Sequence, residues 1–248
     1  MSADAAAVSR YVGLELRRTF RDVGFVIFGI GTPVLMYVIF TSVGDRGPIA
    51  DEWAVVAMVG MASYGALGAA LTAGSAVAED KAKGWLRQLR VTPLTPAQVV
   101  AGRTLTGSLM VLPAVVVVLL TARLLNGVGL ALWQWLALAL LLWLGSLPFT
   151  MLGIANGYLL TQQTANVTNV TCNLAFALVG GLWFPLSEFP SGLAAVAEWS
   201  PGYLFAQLGH ETVAGHAPGP GTVLALAGWL LLFGAYAAHG YRRAGRRA

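Results

Sequence analysis

The chain has 248 residues, 57% of them hydrophobic and only 10% charged, with a formal net charge of +4 and a mean hydropathy of +0.70. Soluble domains carry about 25% charged residues, so a water-facing globular domain is excluded unless most of its apolar surface is hidden, most simply in a bilayer. The single cysteine, Cys172, excludes an internal disulfide framework and a Cys-rich metal site.

In chain order, residues 1–22 come first. Val8, Tyr11, Val12, Leu16 and Phe20 recur at helical spacing, with Arg10, Arg17 and Arg21 on another face. This is the pattern of a basic helix lying in the membrane interface, either as an orientation anchor or in a mechanical role. Six apolar stretches follow that approach the roughly 20 residues a spanning helix needs. They are 23–43, 54–78, 105–125, 130–159, 165–184 and 222–239. The fourth is long enough to be tilted, or broken near Pro148. The first has no small-residue cleavage site behind it and reads as a retained helix, not a signal peptide. Six spans put both termini on one side, together with thirteen of the fifteen Lys and Arg residues, leaving Arg46 and Arg123 opposite. The side rich in Lys and Arg is expected to be cytoplasmic. Topology thereby accounts for the positive charge, and no nucleic-acid partner is needed.

Between the second and third spans, residues 79–103 read EDKAKGWLRQLRVTPLTPAQVVAGR and hold seven charges in 25 residues. Glu79 and Lys83 stand four apart in the favourable order, and Asp80 can reach Lys83 at three. The acids are placed to begin a short helix, with Lys83, Arg87 and Arg90 on one face and Trp85, Leu86 and Leu89 on another. Pro93 disfavours helix at Thr92. Thr95, Pro96 and Gln98 then have the form of a capping box that starts a new helix into the third span. Trp85 and Leu86 argue for a docking surface over a plain solvated loop.

In the fifth span Asn166, Asn169 and Asn173 share one helical stripe, which Phe176 and Gly180 continue. Amides in hydrocarbon need partners, so this face serves either as helix–helix glue or as the wall of a wet cavity. Gly60, Tyr64 and Gly68 of the second span offer a similar close-packing or cavity-lining face. Residues 185–221, expected outside the cell, contain Pro185, Pro190 and Pro201 and no Lys or Arg. They are too short and interrupted to span, and read as one or two re-entrant helices, with Ser200 and Pro201 starting one that runs through Gly209. His210, Glu211 and His216 match no metal-ligand spacing.

No Gly-Lys pair occurs anywhere, which rules out a Walker A phosphate loop. H-E-x-x-H and G-x-S-x-G are also missing. No span holds a lone Asp, Glu or Lys of the kind that relays protons or sodium. Energy for transport must therefore come from another chain, and residues 79–103 are the obvious port. An ion-gradient-driven secondary transporter is the alternative.

The interfacial helix, the six spans, the acidic start of the 79–103 stretch with GWLRQLRVTPLTPAQVVAGR, and WFPLSEFP with WSPGYLF before the last span together resemble the bacterial ABC-2 type permeases. These are membrane subunits of exporters of the drug-resistance and polysaccharide-export kind. The resemblance implies one all-α polytopic domain over 1–248: six transmembrane helices, an N-terminal elbow helix over 1–22, a cytoplasmic coupling helix within 79–103 and external re-entrant helices within 185–221. It implies a multi-pass protein of the bacterial cell membrane with both termini cytoplasmic. It further implies pairing with a second permease chain, as homodimer or heterodimer, and a separate ATPase docking on Glu79, Lys83, Gly84, Trp85, Leu86, Arg87, Leu89 and Arg90. The chain itself would then be no enzyme and bind no cofactor, ATP and Mg being handled by the ATPase. Spans two and five would line the central cavity, placing Gly60, Tyr64, Asn166, Asn169, Asn173 and Phe176 near the cargo. A pathway of amides, aromatics and glycines suits an amphipathic or hydrophobic small molecule or a lipid.

Overall fold

A computed structural model describes residues 24–43, 47–83, 96–186 and 189–247. The expected elbow helix over 1–22 and the segment 84–95, with Gly84, Trp85, Leu86, Arg87, Leu89 and Arg90, lie outside the described residues. Those described form helices and no strand. A π-helical stretch, Phe25–Gly31, leads into α1 (Thr32–Ser42), and a 3-10 turn, Gly47–Ile49, leads into α2 (Ala50–Ala82). Then come α3 (Pro96–Leu109), α4 (Val111–Leu125), α5 (Leu132–Gly145), α6 (Leu147–Leu159), α7 (Gln162–Val179), α8 (Ser191–Ala197), α9 (Pro201–Val213) and α10 (Pro220–Arg247).

Four of these helical stretches are long and apolar enough to cross a bilayer: Ala50–Ala82, Arg103–Leu125, Leu132–Leu159 and Pro220–Ala244. A fifth apolar helix, Gly29–Ser42, is shorter, and the amide-bearing α7 is not among the four. The chain is thus an all-helical polytopic membrane protein. Prolines mark the breaks inside two of the long stretches. Pro113 cannot donate to the carbonyl four residues back, and α3 gives way to α4 at Met110. Pro148 sits in the first turn of α6, just past the junction at Ser146. There the Ser146 hydroxyl donates to the Trp143 carbonyl (2.7 Å) and the Thr150 hydroxyl to the Ser146 carbonyl (3.2 Å), adding to the main-chain bonds those carbonyls already accept.

Helix α2 is the axis of the bundle and the most buried of the long spans; α10 is the least buried. Its neighbours are α6, α4, α7 and α1, and α10 packs chiefly on α6. The α2–α6 contact is made by glycine. Cβ atoms placed on Gly74 or Gly157 would overlap the carbonyl oxygens of Gly153 and Gly74, and one on Gly153 would stand 2.5 Å from the Leu71 oxygen. The two backbones therefore touch directly, as small residues four apart allow in membranes. Along α2, α6 and α9 the core holds Met58, Met61, Leu67, Leu71, Phe149 and Phe205, all buried. Leu124, Leu132, Leu224 and Leu231 point outward, where only lipid would receive them.

The Ala50 end is tied together by side chains. Trp53 donates its indole N–H to the Phe40 carbonyl (2.8 Å) and Tyr37 its hydroxyl to Asn126 (2.9 Å). Pro190 precedes α8. Ser200 caps α9 by accepting the Tyr203 amide (3.1 Å), with Pro201 as its first residue, and the helix runs on past Gly209 to Val213. The buried Gln134 amide of α5 donates to the Thr212 and Val213 carbonyls at the α9 end (3.2 and 2.9 Å). Glu211, considered above beside His210 and His216, accepts the main-chain N–H of Gly219 (2.7 Å).

Candidate functional site

A cavity of about 460 Å³ opens between the N-terminal stretch of the first helical segment, α2 and α7. Its walls carry Thr32, Tyr64, Gly68, Thr72 and Ser75 on one side and Asn166, Asn169, Val170 and Asn173 on the other. Among the described residues no carboxylate, amine, guanidinium or imidazole lines it. The polar groups those residues bring are amides, aliphatic hydroxyls and one phenol, which exchange neutral hydrogen bonds and supply no countercharge.

The three asparagines of the stripe do different things. Asn169 is buried and accepts from Asn156 of α6 (2.8 Å) while donating to the Leu71 carbonyl of α2 (3.0 Å). It knots three helices beside the cavity wall, which is the glue role. Asn173 faces Gly68: a Cβ there would stand 3.0 Å from the Asn173 nitrogen, so the glycine makes room for the amide. The Asn173 oxygen is buried and accepts no hydrogen bond from the described residues, an acceptor with free capacity at the cavity edge. Asn166 is exposed on the cavity side. Tyr64 closes the cavity toward the Ala50 end, its ring edge-on to Trp183 at 5.3 Å.

Two residues of the expected pathway, Gly60 and Phe176, do not line this cavity. Gly60 lies one turn beyond Tyr64, where a Cβ would overlap the Leu182 carbonyl; it is a close-packing glycine outside the 460 Å³ cavity. Phe176 turns into the core, its ring 5.5 Å from Phe149, which in turn lies 5.4 Å from Phe205. The stripe rotates away from the cavity by that position because the α7 end packs on α9: a Cβ on Gly202 would overlap the Phe176 carbonyl.

The base of the 79–103 segment also departs from expectation. Glu79 and Asp80 do not begin a new helix; they belong to the last turn of α2, which ends at Lys83. Acids are disfavoured at a helix C-terminus, and here each has a cation. Glu79 pairs with Lys83 (2.5 Å) as its spacing predicts, but Asp80 reaches across to Arg103 of α3 (2.6 Å) rather than to Lys83. Between them Lys81 donates to the carbonyls of Tyr158 (2.9 Å) and Leu160 at the end of α6. These are carbonyls that a terminating helix leaves without intrahelical donors.

Asn156 and Lys81 are functional candidates that sequence reasoning missed. Asn156 was visible as an amide inside an apolar run, between Ala155 and Gly157. Lys81 carried no signal beyond its place in a charged run, because its partners lie in a distant helix.

Replacing Asn169 by leucine removes both of its hydrogen bonds and strands the Asn156 amide. Interhelical hydrogen bonds in membranes are worth about 0.6–2 kcal/mol each, so Asn169→Leu should destabilise by roughly 1–3 kcal/mol. Thermal unfolding in detergent measures this. The Asn156→Leu/Asn169→Leu pair should be little worse than Asn169→Leu alone, because the two share one bond.

The apolar helical bundle and its glycine seam are those of a polytopic membrane protein. The chain belongs to the ABC-2 type transporter family, whose sequence pattern it matches over residues 11–210. It is 26% identical over 221 residues to a Bacillus subtilis (strain 168) protein named "Putative transport permease YvfS", an alignment covering 88% of this chain and 90% of that one.

Proposed function

We propose that this chain is the permease subunit of an ATP-binding-cassette exporter, moving a neutral amphipathic molecule or lipid out of the cell. Two permease chains pair in the cell membrane with both termini cytoplasmic. A separate ATPase, which handles ATP and Mg, docks on residues 79–103, with Trp85, Leu86 and Leu89 as the apolar contact and Lys83, Arg87 and Arg90 around it. Val167, Val170, Leu174 and Leu178 leave an exposed apolar face on α7 beside the cavity, which supports α7 as the seam with the second chain. The observation that carries the cargo class is the lining of the 460 Å³ cavity by the described residues: amides and hydroxyls, a buried Asn173 acceptor and, among those residues, no ionisable side chain other than the Tyr64 phenol. A buried acceptor without a donor is costly, and a ligand N–H or O–H relieves that cost. A charged group would enter without a partner and lose its hydration.

The test is ligand-dependent melting of the protein in nanodiscs. A neutral glycoside amphiphile should raise the melting temperature, and an acidic amphiphile of the same chain length should not. Asn173→Leu should abolish the rise while changing unliganded stability by less than about 1 kcal/mol, because it breaks no internal hydrogen bond. Equal stabilisation by the acidic amphiphile contradicts the cargo class.

A further inference from the structure

The last turn of α2 works as a yoke with two arms. Asp80 reaches α3 through Arg103, and Lys81 reaches the α6 terminus through Tyr158 and Leu160. Farther back along α2 the helices meet by packing alone: Gly74 on Gly153 and Gly157, and Val77 in one apolar cluster with Ile154 and Tyr158. Lys81 lies seven residues beyond Gly74, about 10 Å along the helix axis. At that distance from the seam, Lys81 supplies the hydrogen bonds from α2 to the end of α6. The chain leaves the yoke at Lys83 and enters the 84–95 segment. Residues 84–95 connect the last turn of α2 to α3, so a displacement imposed by a docked ATPase reaches both helices at the yoke.

We propose that Lys81 is the positioning residue that passes this displacement to α6 and so to the cavity. The proposal rests on the reading above, in which an ATPase docks on 79–103. The ammonium lies at the C-terminal end of α6, where the helix dipole favours a positive charge, so it holds that end by charge as well as by hydrogen bonds. Helix α6 then reaches the cavity wall through Asn156 and Asn169. Movement at the α2 end thereby draws on the helix that holds Asn169 in place. The exposed Glu79–Lys83 pair lies within a single helix and adds little, as surface ion pairs generally do.

The experiment uses the permease–ATPase complex from native membranes, in nanodiscs, with Cys172→Ala as background. A bimane label is placed on Gln162→Cys, the first residue of α7, two positions past Leu160. ATP with vanadate is the probe, and bimane emission is read beside ATP hydrolysis. The unmutated complex and Lys81→Arg should both show a nucleotide-dependent emission shift. Lys81→Met should lose the shift with the ATPase still bound and hydrolysing ATP. If Lys81→Met inserts poorly, Lys81→Gln, which keeps a shorter donor and no charge, should show the same loss. An intact shift in either variant overturns the proposal. So does loss of the ATPase from a well-inserted Lys81→Met, which would make Lys81 a docking residue. Absence of ATPase or of any shift in the unmutated complex defeats the exporter reading itself, and is told apart because it appears with Lys81 in place.

Discussion

Gly153→Leu is expected to leave almost no folded protein in the membrane. The Cβ of any residue at 153 would stand 2.5 Å from the Leu71 oxygen and 2.9 Å from the Leu71 Cα, so it meets backbone, which cannot swing aside as a side chain does. Overpacking a dense core costs about 1–3 kcal/mol per substitution where neighbours can yield. Here α2 and α6 must separate as rigid bodies, and the separation also pulls on the Asn156–Asn169–Leu71 hydrogen bonds. Gly153→Ala should reach the upper part of that range, and Gly153→Leu should exceed it. Gly228→Ala in α10 is the matched control, because a Cβ there meets nothing within 4 Å. Size-exclusion profiles and melting temperatures in detergent check the series. A Gly153→Leu variant as abundant and stable as Gly228→Ala would mean that the α2–α6 seam is not close-packed in the membrane.

Leu86→Asp is expected to abolish association with the ATPase while the permease still inserts. In the sequence Leu86 falls between two apolar stretches, so an aspartate at 86 is not expected to disturb a transmembrane helix. In the amphipathic pattern of 79–103 it shares the apolar side with Trp85 and Leu89. An aspartate there would have to lose its hydration on docking without a partner. Central apolar anchors of interfaces are worth roughly 2–4 kcal/mol, which is about 30- to 1,000-fold in affinity. Trp85→Ala should weaken binding through lost contact area alone, and so by less than the aspartate does. Binding of the ATPase to purified permease, measured at matched insertion, gives both numbers.

The all-helical polytopic character was legible because long apolar runs leave few alternatives, and four of the six expected stretches are long and apolar enough to span. The break near Ser146 was expected from Pro148, whereas the one at Met110, ahead of Pro113, was not. The amide stripe was legible as a stripe, but the division of labour along it was not. Asn169 became a knot only because Asn156 and Leu71, on two other helices, come within reach, while Asn173 faces a glycine. Periodicity gave no warning that α7 bends its stripe into the core at Phe176, since that depends on how closely Gly202 lets α9 approach. The acids at 79 and 80 show the same limit. Local rules place them at a helix start, yet α2 continues through them because Arg103 and the carbonyls at the α6 end supply partners from distant sequence.

The central claim is that this permease is powered through another chain. Its most direct measurement is the ATP hydrolysis that co-purifies with the tagged chain from its native membranes in mild detergent. The account predicts vanadate-sensitive hydrolysis in the eluate of the unmutated chain and none in that of Leu86→Asp. An eluate without hydrolysis, from membranes in which other complexes stay whole, would contradict it.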